Sequence, residues 1–192
     1  MVLYGASGHA KVIIDILEAN GETIDFIVDD NPELTDLLGY EVRPNTGKYD
    51  EMIISIGSCI MRERVADSIE VRKYLTAVHP SAVISPRVKL GGGTVVMQGA
   101  VIQSCTRVGE HCIVNTGASV DHDCVIGDFV HIAPHATVLG GVKVGRGSWI
   151  GAGSVVKQNV TIGENCMIGA GAVVICDVPD GATVVGVPGK EI

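Results

Sequence analysis

Residues 120–135 read VDHDCVIGDFVHIAPH. Three histidines and three aspartates crowd into this stretch, yet Val120, Ile126 and Ile132 recur through it every six residues. Outward from it the ladder continues without a break, from Val78, Ile84, Leu90, Val96, Ile102, Val108 and Val114 to Val138, Val144, Ile150, Val156, Ile162, Ile168 and Val174. Every member is Val, Ile or Leu, and chance does not keep one phase that long. Four residues after each rung stands a small or β-branched side chain, such as Ala118, Cys124, Val130 and Ala136. Glycine often follows the rung directly, as at Gly91, Gly109, Gly127 and Gly145.

This is a hexapeptide β-helix pattern. Each hexad supplies a short strand and a corner. The aliphatic residue points inward, the small one packs beside it, and the glycine is expected to ease the turn. Val120 and Cys124 take inward slots, which leaves Asp121, His122 and Asp123 on the corner between them. The histidines are expected to face outward. His131 lies nine residues from His122, half of an 18-residue coil, so the two are not expected to meet within one chain. His111 and His135 are expected at the surface, and His79 is read as structural.

Before residue 78 the ladder is absent. The chain reads instead as a glycine-rich turn in MVLYGASGHA, a helix from Lys11 to Asn20 closed by Gly21, and a buried strand in IDFIVDD. Then come a strand in MIISIG (52–57), a helix from Met61 to Glu70 and a strand from Lys73 to Val78. Strands alternating with helices imply a small parallel α/β domain over residues 1–77, followed by the β-helix over 78–192. Ligands of such sheets bind at the carboxyl ends of strands. Gly5 and the rest of GASGHA, Asp29–Asp30 and Gly57–Ser58 lie there. GASGHA lacks the GxGxxG spacing of dinucleotide folds. His9 has two readings, packing against the sheet or touching a phosphate.

The totals narrow the function. Hydrophobic residues make up 46% of the 192 and aromatics only 4%, so the core is aliphatic. A net charge of −8 argues against nucleic acid as a partner. No apolar run nears the ~20 residues needed to cross a bilayer, and no secretory signal is visible at the start, so a cytoplasmic location is expected. The six cysteines include no CxxC pair. Cys112, Cys124 and Cys166 fall on inward positions, and zinc would want three or four converging ligands, so no metal is expected.

YGASGHAKV, VDDNP, HPSAVISP, NTGASVDHDCVIGDFVHIAPHA and GVPGK follow one another in that order. The set resembles the sugar O-acyltransferase, sialic-acid NeuD family of hexapeptide acyltransferases, and within it the PglD type. The resemblance covers essentially the whole chain. It implies three hexads per coil, a left-handed path, and a homotrimer with active sites between neighbouring prisms. It further implies an acetyl-CoA-dependent enzyme that N-acetylates a UDP-linked 4-amino sugar for glycan or surface-polysaccharide synthesis. His122 matches the general base, and Asp123 the acid that orients it, an Asp where the PglD-type motif has Glu. His131 matches a histidine near the acetyl group and coenzyme, and Asn115 a residue near the sugar. Ser7, Gly8, His9, Asp29 and Asp30 match nucleotide-binding positions. Gly140, Ala152, Ala170 and Pro188 lie where the pantetheine arm runs. O-acetylation of sialic acid and a non-catalytic binding or assembly module stand as the rival readings.

Overall fold

The ladder folds as its spacing demands. In the computed structural model, which describes residues 1–192, each hexad forms a two-residue strand and a corner. Strands eighteen residues apart pair in parallel: Val95 with Ile113, Val101 with Ser119, Arg107 with Val125. Three hexads therefore complete one coil, and three sheets wall a triangular prism. The first face carries His131–Ile132 and Trp149–Ile150, the second Ser119–Val120 and Thr137–Val138, the third Val125–Ile126 and Lys143–Val144.

The second residue of each strand points inward. Val96, Val114, Val120, Ile132, Val138 and Ile150 are fully buried in one core that also takes Ala118, Cys112, Cys124 and Cys166. Burying each such aliphatic side chain contributes about 1.5–3 kcal/mol. Val78, Ile84 and Leu90 are only partly buried, because the first coil has no coil beneath it. Cys105 and Cys176 are exposed.

The glycines that follow the rungs do not turn the chain. The left-handed backbone falls two residues later, once per hexad, at Cys105, His111, Gly117, Asp123, Phe129, His135, Gly141 and onward. Gly91 and Gly145 instead let adjacent coils close up. A Cβ on Gly91 would meet Glu110 N at 2.5 Å, and one on Gly145 would meet Gly163 C at 2.5 Å. The glycine requirement comes from the neighbouring coil rather than from the turn.

The N-terminal part is a parallel sheet with two helices. β1 (Val2–Tyr4) pairs with β2 (Phe26–Val28) on one side and with β5 (Lys48–Ile54) on the other. β3 (Asp36–Leu37) and β4 (Tyr40–Arg43) form an antiparallel hairpin that joins the sheet through β4, and β6 (Glu70–Tyr74) closes the far edge. That hairpin, in a polar and turn-rich stretch, was not expected from the sequence. Helix α1 spans Gly8–Ala19 and α2 spans Cys59–Ser68, each starting about two or three residues earlier than the apolar spacing alone predicts. Ser58 caps α2 by accepting a bond from Met61 N at 3.4 Å. The last expected strand splits, since Ala77–Val78 belongs to the first face of the prism.

This domain sits on that first face. Each first-face strand turns its leading residue away from the prism axis, and Ala77, Val95 and Ile113 enter a cluster with Leu3, Ile13 and Ile16. The two halves thus share an apolar layer around the junction at residues 77 and 78. No helix is long and apolar enough to cross a membrane.

Candidate active site

His122 stands on the corner between the second and third faces. Val120 and Cys124, both fully buried, anchor the corner on either side. The His122 and Asp123 side chains remain 60% and 66% exposed. Asp123 has φ +59°, a left-handed conformation that Asp tolerates better than most residues. From there its Oδ2 lies 2.8 Å from His122 Nδ1. The shorter Asp side chain therefore reaches the ring. Asp121 Oδ1 accepts a bond from His122 N at 2.8 Å and fixes the corner backbone. The hydrogen bond to Asp123 raises the imidazole above its ordinary value, and the charge of Asp121 adds to the rise. With Nδ1–H given to a carboxylate, the lone pair sits on Nε2.

His122 lines a cleft of about 430 Å³ with Asp123, Leu139, Gly140, Gln158 and Asn159. Gly140, expected along the pantetheine path, also serves the histidine. A Cβ there would lie 2.8 Å from His122 Cε1 and 2.9 Å from Nε2. Pro188 falls elsewhere, in the exposed turn between the strands Thr183–Val185 and Lys190–Glu191, while Ala152 and Ala170 fall on exposed positions eighteen residues apart along the corner between the first and second faces. The coil contact there includes Gly171 N donating to Ala152 O at 2.8 Å. The second face lies between the two corners. Its outward residues, Val101, Ser119, Thr137, Val155 and Val173, are small or β-branched.

His131 is not turned to solvent. It leads a first-face strand, so its side chain enters the seam beneath the N-terminal domain and is 4% exposed. His111 is buried there too, at 3%, stacked on Phe129 and edge-on to Tyr74. The expectation that the histidines face outward fails for these two, because the prism's outside on this face is the inside of the interface. Asn115 Oδ1 accepts from Thr116 N at 2.8 Å, which directs its Nδ2 toward His131 Nε2 at 2.9 Å. Nε2 is then an acceptor, and the ring proton sits on Nδ1, 3.2 Å from Gly57 O. Trp149, one coil on, packs on the ring at 4.0 Å. Burial pushes this imidazole down to about 3, so it is neutral at neutral pH. The first face lies opposite the corner that carries His122, so one chain does not bring His122 and His131 together.

The strand-end residues gather near this seam. Gly5 holds φ +106°, and a Cβ there would meet Ile56 Cγ1 at 2.9 Å. Ser7 is the residue before α1 and makes no side-chain cap bond, and Gly8 has open space around it. Gly8 and His9 occupy the first helical turn, where backbone N–H groups favour an anion. His9 is 6.5 Å from His131 ring to ring, its Nε2 is buried without a partner, and burial pushes it down to about 4. Asp29 already accepts from Ala6 N at 2.7 Å and Asn31 N at 2.8 Å, so it ties the glycine-rich turn to β2. Asp30 is exposed and takes the Tyr4 hydroxyl at 2.8 Å.

Sequence reading missed two residues of the seam. Trp149 could have been found, since it stands eighteen residues after His131. Arg62 carries no motif, because every partner it has is a backbone carbonyl.

Residues 1–69 match the PglD N-terminal domain, and residues 105–140 and 141–176 match the bacterial transferase hexapeptide repeat. Among solved structures, the perosamine N-acetyltransferase PerB of Caulobacter crescentus, bound to CoA and GDP-perosamine, is 39% identical with a TM-score of 0.92. That match covers 100% of this chain and 96% of the other. The acetyltransferase domain of PglB from Neisseria gonorrhoeae, in complex with acetyl coenzyme A, is 35% identical with a TM-score of 0.90, over 100% and 98% of the two chains. The UDP-N-acetylbacillosamine N-acetyltransferase of Bacillus subtilis is 36% identical over 109 residues, 50% of this chain and 50% of its own. An uncharacterized protein, L142, of Acanthamoeba polyphaga mimivirus is 34% identical over 98 residues, 47% of this chain and 20% of its own. These curated relatives are thus matched over half of their length or less. The PglD-type first domain, the hexapeptide repeats in the second and the end-to-end likeness to two solved acetyltransferases have one reading: the chain belongs to the PglD-type family of hexapeptide acyltransferases.

Proposed function

We propose that this chain transfers the acetyl group of acetyl-CoA to the amine of a nucleotide-linked amino sugar. The observation that carries the reading is the His122–Asp123 pair at 2.8 Å, on the wall of a cleft and with Nδ1 taken by the carboxylate. Nε2 takes a proton from the sugar amine as its nitrogen attacks the thioester carbon. The C–S bond then breaks, and the coenzyme leaves as a thiolate that receives the proton. Such general-base assistance is worth ~10²- to 10⁴-fold. Asp123 holds the tautomer and favours the imidazolium that forms. The transfer is direct, with no acyl-enzyme.

The coenzyme arm is proposed to run along Ala152, Ala170 and Pro188 and to end at Gly140 of an adjacent chain. Ala152 and Ala170 border the second face from one corner and Gly140 from the other, which supports a homotrimer with each site shared between two prisms. Asn115 and His131 are proposed to line the sugar and acyl sides. His131 has both nitrogens engaged, so it offers shape rather than a proton. Gly5, Ser7, Gly8, His9, Asp30 and Gly57 are proposed to receive the nucleotide, with Asp29 holding their turn in place.

The sequence resemblance favours a UDP-linked 4-amino sugar, while one relative was solved with GDP-perosamine. Mass spectrometry of products from UDP-, GDP- and dTDP-linked 4-amino sugars and free sialic acid tests the proposal. An added acetyl on the amine of a nucleotide sugar is expected. Acetylation of sialic acid alone would overturn it.

A further inference from the structure

Arg62 is 1% exposed, yet no carboxylate bonds to it. Burying a guanidinium is costly unless its donors are matched. Here backbone carbonyls match them. Nε donates to His111 O at 2.7 Å and Nη2 to Phe129 O at 2.9 Å. These two carbonyls stack one coil apart, and both residues hold the left-handed corner conformation, φ +52° and +58°. Nη1 donates to Ile56 O at 2.8 Å and Gly57 O at 3.0 Å, in the segment that leads from β5 into α2. One rigid planar fork thus bridges two coils of the prism and one loop of the sheet domain.

Gly57 O has a second donor, the Nδ1–H of His131 at 3.2 Å. The relay runs from Arg62 through Gly57 O to His131, then from His131 Nε2 to Asn115 and on to Thr116 N. Moving the Gly57 carbonyl would release the proton on Nδ1 and free the ring to turn. The ring would then be held by the Asn115 amide alone.

We propose that Arg62 is a positioning residue of the acyl-transfer site, which fixes the Gly57 carbonyl and through it, together with Asn115, the tautomer and orientation of His131. This rests on the functional reading above, which places His131 and Asn115 against the acyl group and sugar. A lysine at 62 has three donors on one tetrahedral nitrogen and cannot span the four carbonyls. The ring then samples both tautomers and the bound acceptor loses its fixed wall. Misplacement on the scale of 1 Å costs about 10²-fold in rate.

The test compares wild type with Arg62→Lys, using ¹⁵N-histidine-labelled protein for the His131 tautomer and steady-state kinetics for the reaction. Wild type is expected to show Nδ1–H only. Arg62→Lys is expected to show a tautomer mixture at His131, a kcat lower by roughly 10²-fold, and a KM for acetyl-CoA within about twofold. A His131 that keeps Nδ1–H in folded Arg62→Lys overturns the proposal, and so does a mixed tautomer with unchanged kcat. If Arg62→Lys does not fold, Arg62→Gln replaces it, and an Nε2–H tautomer in wild type overturns the proposal without any variant. A wild type inactive on every amino sugar would overturn the functional reading instead, and the tautomer comparison would still decide the role of Arg62.

Discussion

Gly140 lies so close to His122 that a single added methyl would sit 2.8 Å from the ring's Cε1. Gly140→Ala is therefore expected to push an exposed imidazole off Asp123 without harming the prism. kcat should fall at least about 10-fold, while thermal unfolding moves little. Kinetics beside calorimetry checks this, and an unchanged kcat would show that the ring does not work where it stands.

His122→Ala is expected to lower kcat by ~10²- to 10⁴-fold with the mass in solution unchanged. Size-exclusion chromatography with light scattering accompanies the assay. Near wild-type turnover at unchanged mass would remove His122 as the base.

Asp123→Asn should move the pH profile. The carboxylate raises the His122 pKa, and a base works only when deprotonated, so activity fades as pH falls through that value. Without the carboxylate the pKa drops, and the acid limb of kcat/KM shifts to lower pH while the plateau falls. Any stability that His122⁺ gains from Asp123 has the opposite reach: present at low pH and lost as pH rises through the raised pKa.

The buried imidazoles predict acid lability. His111 is pushed down to about 4 by burial, with the Arg62 cation adding to the fall. Its unfolded form takes a proton near pH 6.5 while the folded form resists. The stability it holds is complete above pH 6.5 and is lost as pH falls toward 4, at about 1.4 kcal/mol per pH unit. His131 behaves likewise, down to about 3. Chemical denaturation between pH 7.5 and 4.5 should show a shallower loss in His111→Gln than in wild type. Equal slopes would show that His111 is not held neutral.

Two glycine substitutions separate the two roles of glycine in the prism. Gly145→Ala drives a methyl into the backbone of the next coil and should cost about 1–3 kcal/mol. Gly153→Ala meets nothing within 4 Å, and its φ of +65° should cost only about 1 kcal/mol of left-handed strain. Melting curves of the pair check the order, and a larger loss at Gly153 would reverse it.

The prism was legible because its inward rungs obey a period that nothing else in the chain imitates. Val120 and Cys124 alone determine that His122 and Asp123 lie on a corner. The sheet domain was legible in type but not in bounds. α1 starts at Gly8 because the backbone, not the apolar spacing, sets where a helix begins. The seam was illegible for a different reason. The outward slot of a hexad is the same position on every face, and only a reading in steps of eighteen separates the first-face column of Ala77, Val95 and Ile113 from the third-face column of Lys89, Arg107 and Lys143 that meets solvent. Only the docking of the second domain makes His131 a buried residue and Lys143 an exposed one. Arg62 shows the limit most plainly, since carbonyl partners leave no mark in the side-chain alphabet.

The eighteen-residue coil also gives the chain a phase for insertions and deletions. Losing six residues above Trp149 would leave every rung aliphatic and every coil able to close, yet rotate all later columns by one face. Met167, now on the first face above Trp149, would pass to another, and Ala170 would leave the corner it shares with Ala152. Losing eighteen would shorten the prism by one storey and leave each remaining residue on its own face. Tolerance of length change in this protein is thus set by arithmetic modulo eighteen, where most folds set it by whether a loop is exposed.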